Sequence, residues 1–290
     1  MVINKYKVSS GKGFDLDNYS TDPGPNPVYE KKDREDVLKL NREAIRTYQS
    51  RLYADGKAGI LIIMQGMDGG GKDSAIRNVI GVNPQGVKVY NFRQPSSREL
   101  AHDYLWRVVP ALPERGMIAI FNRSYYEDVL IVKVHELYKN LNILERCKGG
   151  DTIAKRYAQI NNFEDYLWDN GILTIKIFLH LSKDEQRKRF LKRIDREDKN
   201  WKFSDNDLRE RAYWDRYQEA YNAAIISTST DNNPWWIVPA DKKDYTHALI
   251  SEIILEKLKE INPHYPPVTD EQRRVLTASR NTLVDELHNI

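Results

Sequence analysis

The stretch LIIMQGMDGGGKDSAI, residues 61–76, does most to limit the folds open to this chain. An apolar run, a glycine-rich turn and a helical segment follow one another without a gap, which is the context of a phosphate-binding loop. Gly66, Gly71 and Lys72 satisfy G-x-x-x-x-G-K, with Gly69 and Gly70 between them. Glycines let the backbone approach an anion closely, so that N–H groups converge on phosphate oxygens, and the helix that follows adds the positive end of its dipole. The plain alternative is a glycine-rich strand-to-helix turn with no ligand, and Lys72 at its required position argues against it. Two departures stand out. Asp73 occupies the place where Ser or Thr would offer a hydroxyl to Mg²⁺, and Asp68 lies inside the loop. A carboxylate beside a polyanion is repulsive unless a divalent cation separates them, so Asp68 predicts Mg²⁺ or Mn²⁺ at the loop. Asp73 either takes over the metal side of the missing hydroxyl or, as a first-turn acid, complements the helix dipole. The stretch holds no G-x-G-x-x-G, which disfavours a dinucleotide fold.

Four further apolar runs, VKVYNF (87–92), MIAIF (117–121), LTIKIFLHL (173–181) and WWIVPA (235–240), alternate with helical patterns. Near-continuous apolar strands between helices predict a doubly wound α/β sandwich of three layers around a parallel five-stranded sheet. An amphipathic pattern over 33–54 precedes the first strand, and SREL near Ser97 reads as a capped helix start. One domain over 31–263 is expected, after an extended arm over 1–30 rich in turn formers. A proline break and a helical pattern make up an extension over 264–290. The net charge of +3 points to no nucleic-acid partner, and no apolar run is long enough to span a bilayer. A lone cysteine, Cys147, and an opening MVINKYKVSS without a long apolar segment lead to the expectation of a cytoplasmic chain.

In an open parallel sheet, ligands gather beyond the carboxyl ends of the strands. Asn122 and Arg123 leave the third strand there, and Arg93 and Gln94 leave the second. Arg123 suits forked contact with phosphate, whereas Asn122 is neutral where many phosphate-loop enzymes place a metal-side acid. If a helix starts near Ser124, Glu127 and Asp128 fall in its first turn. Asp128 is taken as the acid that reaches metal or nucleophile, and Glu127 is left between the crevice and a solvated helix start. Arg77, on the helix after the loop, adds a cation for a long phosphate ligand. After the fourth strand, Ser182 and Glu185 read as a capping box, and residues 183–202 carry nine Lys or Arg against five Asp or Glu. Arg189, Arg193 and Arg196 recur at helical spacing, with Phe190, Leu191 and Ile194 expected to pack inward. Such a run is either a solvated face or a lid, about 182–216, that closes arginines over phosphates.

These elements together resemble the polyphosphate kinase 2 family. GMDGGGKDSAI matches its variant loop, and FRQPS, FNRSYYEDVL, QRKRFLKRI and TDNNPWWIVPADKK follow in the family's order over roughly residues 5–263. The resemblance implies a thymidylate kinase-like fold and phosphoryl transfer between inorganic polyphosphate and nucleotides with Mg²⁺ or Mn²⁺, in homodimers or homotetramers. Asn122 in NRSYYEDVL is similar to the subgroup (class III) that phosphorylates AMP and ADP, with guanine nucleotides as further candidates. By the same resemblance Asp68, Lys72, Arg77, Arg123 and Asp128 handle metal and phosphate, and Arg187, Arg189 and Arg193 act as a lid group. Two other readings stand beside it: an ATP-dependent nucleoside or nucleotide monophosphate kinase, which Asp73 disfavours, and a non-catalytic polyphosphate-binding protein.

Overall fold

The computed structural model describes residues 2–80 and 83–288; the outermost residues of the expected arm and extension, 1, 289 and 290, lie outside it. In chain order its elements begin with β1 (Lys7–Val8), α1 (Arg34–Asp55), β2 (Gly59–Gln65), α2 (Lys72–Val79) and β3 (Val87–Asn91). There follow α3 (Ser97–Leu100), β4 (Ile118–Asn122), α4 (Ile131–Val134), α5 (Thr152–Asp169) and β5 (Ile172–His180). The remainder is α6 (Lys183–Ile194), α7 (Glu197–Asn200), α8 (Asp205–Ala212), α9 (Trp214–Thr228), β6 (Trp235–Pro239), α10 (Lys243–Ile261) and α11 (Asp270–His288).

The sheet order is β1-β6-β5-β2-β4-β3, and β2 to β6 run parallel. Period-two alternation on β2 explains the layers. Leu61 and Ile63 enter one core with Ile160 and Leu167 of α5 and Ala224 and Ile225 of α9. Ile60, Ile62 and Met64 enter the other, with Ile45 and Leu52 of α1, Val79 of α2, and Leu249 and Ile253 of α10. Each fully buried aliphatic chain stabilises the fold by about 1.5–3 kcal/mol relative to exposure, and every residue of β2 is buried. The phosphate loop therefore springs from a fully buried strand inside the sheet, paired on both sides.

The sheet has six strands where the sequence predicts five. Lys7 and Val8 pair antiparallel with Trp236 and Trp235, and the preceding turn buries Ile3 and Tyr6, whose hydroxyl meets that of Tyr245 at 2.6 Å. Two residues are too few for an alternating pattern to show in the sequence. A short extended stretch separates α10 from α11, which lies largely exposed. No described helix is long and apolar enough to cross a membrane.

Candidate active site

The loop between β2 and α2 is shaped by glycine backbones. Gly71 caps α2 with φ 102°, and Gly69 has φ 82°. A Cβ on Gly69 would lie 3.1 Å from the Phe190 ring, so this glycine serves both the turn and the close approach of α6. Lys72 is buried, and its Nζ donates to the carbonyls of Gly66 (2.5 Å) and Met67 (3.3 Å). Burial pushes the Lys72 ammonium below its ordinary pKa, against the charge of Asp68.

Arg123, the first residue after β4, has φ 64°, an uncommon conformation for a side-chain-bearing residue and one found at functional sites. Its backbone N–H donates to Met64 O (3.1 Å), and its guanidinium donates to Asp68 Oδ1 at 2.6 Å. Burial alone would raise the Asp68 pKa, but Lys72 and Arg123 outweigh it and hold the carboxyl below its ordinary range. Asp68 is thus an ionised carboxylate in the middle of an anion cradle. Burial opposes the Arg123 charge as well, yet Glu127 and Asp68 raise its pKa.

After Ser124 the chain turns as a 3-10 helix, Tyr125–Val129, and not as the α-helix its sequence suggests. This reverses the expected order of the two acids. Glu127 joins Asp68, Arg123 and Tyr221 around a cavity of about 160 Å³. The Gln65 amide, oriented to satisfy its neighbours, donates to Glu127 Oε1 at 3.1 Å. Asp128 points toward α5, where the Arg156 guanidinium donates to both its carbonyl (2.8 Å) and its carboxylate (3.3 Å). Burial raises the pKa of both acids, Asp128 to about 6. The turn is pinned from beneath. Tyr125 and Tyr126 both donate to Glu164 Oε1 (2.9 and 2.8 Å), and the buried Lys176 ammonium donates to Glu164 Oε2 at 2.7 Å.

Asn122 donates to Asp73 Oδ1 at 2.7 Å, joining the two positions at which the loop departs from the common pattern. Arg77 is exposed on the last turn of α2. Arg93 and Gln94 are exposed beyond β3, with the Arg93 carbonyl accepting from Arg107. Of the arginines on α6, Arg187 is exposed and pairs with Asp184, and Arg193 pairs with Asp207 of α8 at 3.4 Å and lies close enough to help depress the Asp68 pKa. Arg189 is buried against the loop backbone. Arg196 lies beyond α6 and pairs with Asp198, so the expected three-arginine face breaks up. Leu191 and Ile194 are 52% and 46% exposed, against the expectation that they pack inward; Phe190 alone of that trio is buried. Ser182 accepts from the Glu185 N–H, but the Glu185 carboxylate goes to Arg189, so the reciprocal half of that capping box is missing. Near Ser97 the box forms in full one residue earlier, on Ser96 and Glu99.

Sequence reasoning missed Gln186, Asp207, Glu210, Tyr217 and Tyr221, which reach the cavity from α6, α8 and α9. Gln186 opens the QRKRFLKRI run without standing out from its arginines, and no motif quoted above includes the other four, which meet the loop only through the packing of distant helices. Glu210 accepts from Tyr217 (2.6 Å) and stands 2.8 Å from His135 Nε2. Among the described residues no three His, Cys, Asp or Glu side chains are arranged to hold a metal by themselves. One ionised carboxylate beside a phosphate site suits Mg²⁺ or Mn²⁺, which take one or two protein oxygens and complete the shell with water and substrate.

A family model for polyphosphate kinase 2 matches residues 28–266. The chain is 44% identical over 287 residues to an ADP-polyphosphate phosphotransferase of Rhodopseudomonas palustris, covering 97% of this chain and 98% of that one. It is 42% identical over 278 residues to an AMP/ADP-polyphosphate phosphotransferase of Meiothermus ruber, covering 94% and 100%. The fold matches the crystal structure of polyphosphate kinase 2 from Arthrobacter aurescens with a TM-score of 0.85 at 36% identity, over 96% of each chain. Loop, fold and full-length similarity agree: the chain belongs to the polyphosphate kinase 2 family.

Proposed function

We propose that this protein is a polyphosphate:nucleotide phosphotransferase that moves the terminal phosphoryl group of inorganic polyphosphate onto AMP or ADP, reversibly. The observation that carries the reading is Asp68, held ionised between Lys72 and Arg123 within a glycine loop. Such a loop serves a ligand that brings phosphate and a divalent cation together. Full-length similarity to an AMP/ADP-polyphosphate phosphotransferase supports the choice of donor and acceptor.

In this reading the loop N–H groups of Gly69 and Gly71 and the Lys72 ammonium hold phosphate oxygens, while the Gly70 N–H closes the turn onto Met67 O, and Arg123 keeps Asp68 oriented while offering its remaining N–H groups. Mg²⁺ or Mn²⁺, bound at Asp68, would neutralise charge on the phosphoryl group and on its acceptor. Arg77, Arg187 and Arg193 form a basic track for the chain of phosphates. Arg93, Gln94, Asn122 and Glu127 border the place of the nucleotide, adenine first and guanine as a second base. Catalysis then rests on positioning and charge, with little covalent chemistry by the protein. A homodimer or homotetramer belongs to the proposal, and a cytoplasmic location accords with the exposed thiol of Cys147.

The test compares polyphosphate with ATP as donor to AMP and to ADP, in Mg²⁺ and in Mn²⁺, for the native chain, Lys72→Ala and Asp68→Asn. Each variant is expected to lose about 10²-fold or more in kcat, the scale of removing one preorganised charge from a transition state. Undiminished nucleotide formation by either variant, or preference for ATP over polyphosphate as donor to AMP, would overturn the reading.

A further inference from the structure

Helix α6 meets the phosphate loop along one stripe, Gln186, Arg189, Phe190 and Arg193, at the i, i+3, i+4, i+7 spacing of a single helix face. Three of these four side chains are polar where an inward face is usually apolar, and the surface opposite explains why. A loop binds an anion only if its N–H groups converge on it and its carbonyls turn away. Five successive carbonyls, from residue 66 to residue 70, each accept from a side chain. Lys72 takes those of Gly66 and Met67. Gln186 Nε2 takes that of Asp68 at 2.7 Å, and Arg189 Nη1 takes those of Gly69 at 2.9 Å and Gly70 at 3.2 Å.

We propose that Gln186 and Arg189 are positioning residues that hold the loop backbone in its phosphate-binding orientation, and that Arg189 makes no contact with polyphosphate. The inference rests on the reading of this loop as the phosphate site. Every nitrogen of the Arg189 guanidinium is already engaged. Nη2 donates to Ala240 O (2.6 Å) and Asp241 O (3.3 Å), and Nε donates to Glu185 Oε1 (2.9 Å), in a side chain only 8% exposed. The fork therefore ties the loop to the exit of β6. Without these donors the run Gly69-Gly70-Gly71 has little to stop a peptide from turning its carbonyl toward the anion, because glycine accepts either sign of φ. Gln186 extends the same system to the lid. Its Oε1 accepts from Arg211 Nη1 of α8 at 2.7 Å, so one amide links the Asp68 carbonyl to the helix that also carries Asp207.

Steady-state kinetics against polyphosphate at several salt concentrations separate a positioning residue from a phosphate ligand. Losing a phosphate contact raises KM and flattens the salt dependence of kcat/KM, whereas losing preorganisation lowers kcat with KM little changed. Arg189→Gln is expected to lower kcat about 30-fold with KM for polyphosphate within about 3-fold and an unchanged salt slope. Arg189→Lys is not expected to rescue it, since an ammonium keeps the charge but cannot span both sets of carbonyls. Arg193→Gln, run in parallel, is expected to raise KM and flatten the slope. Thermal unfolding checks that each variant is folded, and if Arg189→Gln is not, Gln186→Leu is read by the same criteria, with kcat down about 10-fold. Rescue by lysine, a flattened salt slope in an Arg189 variant, or a kcat within about 3-fold of native in the folded variants would overturn the proposal. Lys72→Ala in the same series keeps the two readings apart. If it stays active the site assignment fails, and if it is inactive while Arg189→Gln behaves as a lost phosphate ligand, only the positioning role fails.

Discussion

Asn122 Nδ2 donates to Asp73 Oδ1 across 2.7 Å, from the end of β4 to the first turn of α2. Phosphate-loop enzymes commonly place a hydroxyl on the helix and an acid near the strand end. Here the acid is on the helix and the neutral donor on the strand, so the crevice holds one negative charge at this point, on the opposite wall. The two departures from the common pattern complete each other, and neither makes sense alone.

Replacing Asn122 with Asp is expected to remove the donor and set two carboxylates in contact. Like charges at that distance cannot both ionise without a counter-ion. The variant is expected to lose about 0.5–1.5 kcal/mol of stability at pH 7, the net worth of a hydrogen bond whose acceptor is solvent-exposed, and to regain part of it in millimolar Mg²⁺. Thermal unfolding with and without Mg²⁺ measures this; equal stability of variant and native chain in metal-free buffer would refute it.

Asp68 and Glu127 carry opposite pH signatures. The Asp68 pKa is lowered in the fold by Lys72 and Arg123 over the opposing effect of burial, so its contribution is present above the unfolded value of about 3.9 and fades as pH falls through the lower folded value. The Glu127 pKa is raised, chiefly by burial, so its charged form weighs against folding once pH climbs above the unfolded value of about 4.3. Glu127→Gln is expected to raise Tm at pH 7, to leave it unchanged below about pH 4, and to slow phosphoryl transfer. Asp68→Asn should instead lower Tm at pH 7, with the difference vanishing in acid. Tm profiles from pH 3 to pH 8 decide both signs.

Glu164 and Lys176 form a buried pair whose carboxylate also receives Tyr125 and Tyr126. Breaking such a pair from one side costs about 3–5 kcal/mol, whereas replacing both partners with apolar residues is often neutral. Glu164→Leu with Lys176→Met should therefore recover only part of the stability that either single change loses, because it removes the unpaired charge but leaves the buried hydroxyls of Tyr125 and Tyr126 and the Thr228 carbonyl without partners. It should not recover the rate, because the two tyrosines that hold the turn between Arg123 and Glu127 would still lack their acceptor. Urea unfolding alongside the polyphosphate assay reads the two effects separately, and joint recovery would count against a role for the turn.

Gly69→Ala meets two obstacles, a φ of 82° and a Cβ 3.1 Å from Phe190. A loss of about 1–2 kcal/mol is expected from the left-handed backbone alone. Adding Phe190→Leu relieves the contact but not the backbone, so the double variant should recover stability only in part. Full recovery, measured by denaturant midpoint, would mean that packing and not backbone strain demands glycine here.

What the chain determines by itself is what is encoded locally. Each of the five expected strands agrees with the fold to within about a residue at either end, because an apolar run bounded by turn formers marks a strand locally, even at the edge strand β3 where no residue is buried. The loop was legible for the same reason, since glycine spacing, Lys72 and the helix start all lie within a dozen residues. Tertiary structure alone decided the rest. β1 exists only because β6 offers an edge to it. Glu127 and not Asp128 faces the loop because the turn after Arg123 is 3-10, with residues about 120° apart rather than 100°, and because distant Glu164 anchors it. The inward face of α6 is largely polar, with Phe190 on it but Leu191 and Ile194 turned out, because a row of loop carbonyls lies opposite. A side chain's periodicity tells how its own helix is sided, but which side wins depends on the chemistry of the surface it meets, and that surface is built from residues more than a hundred positions away.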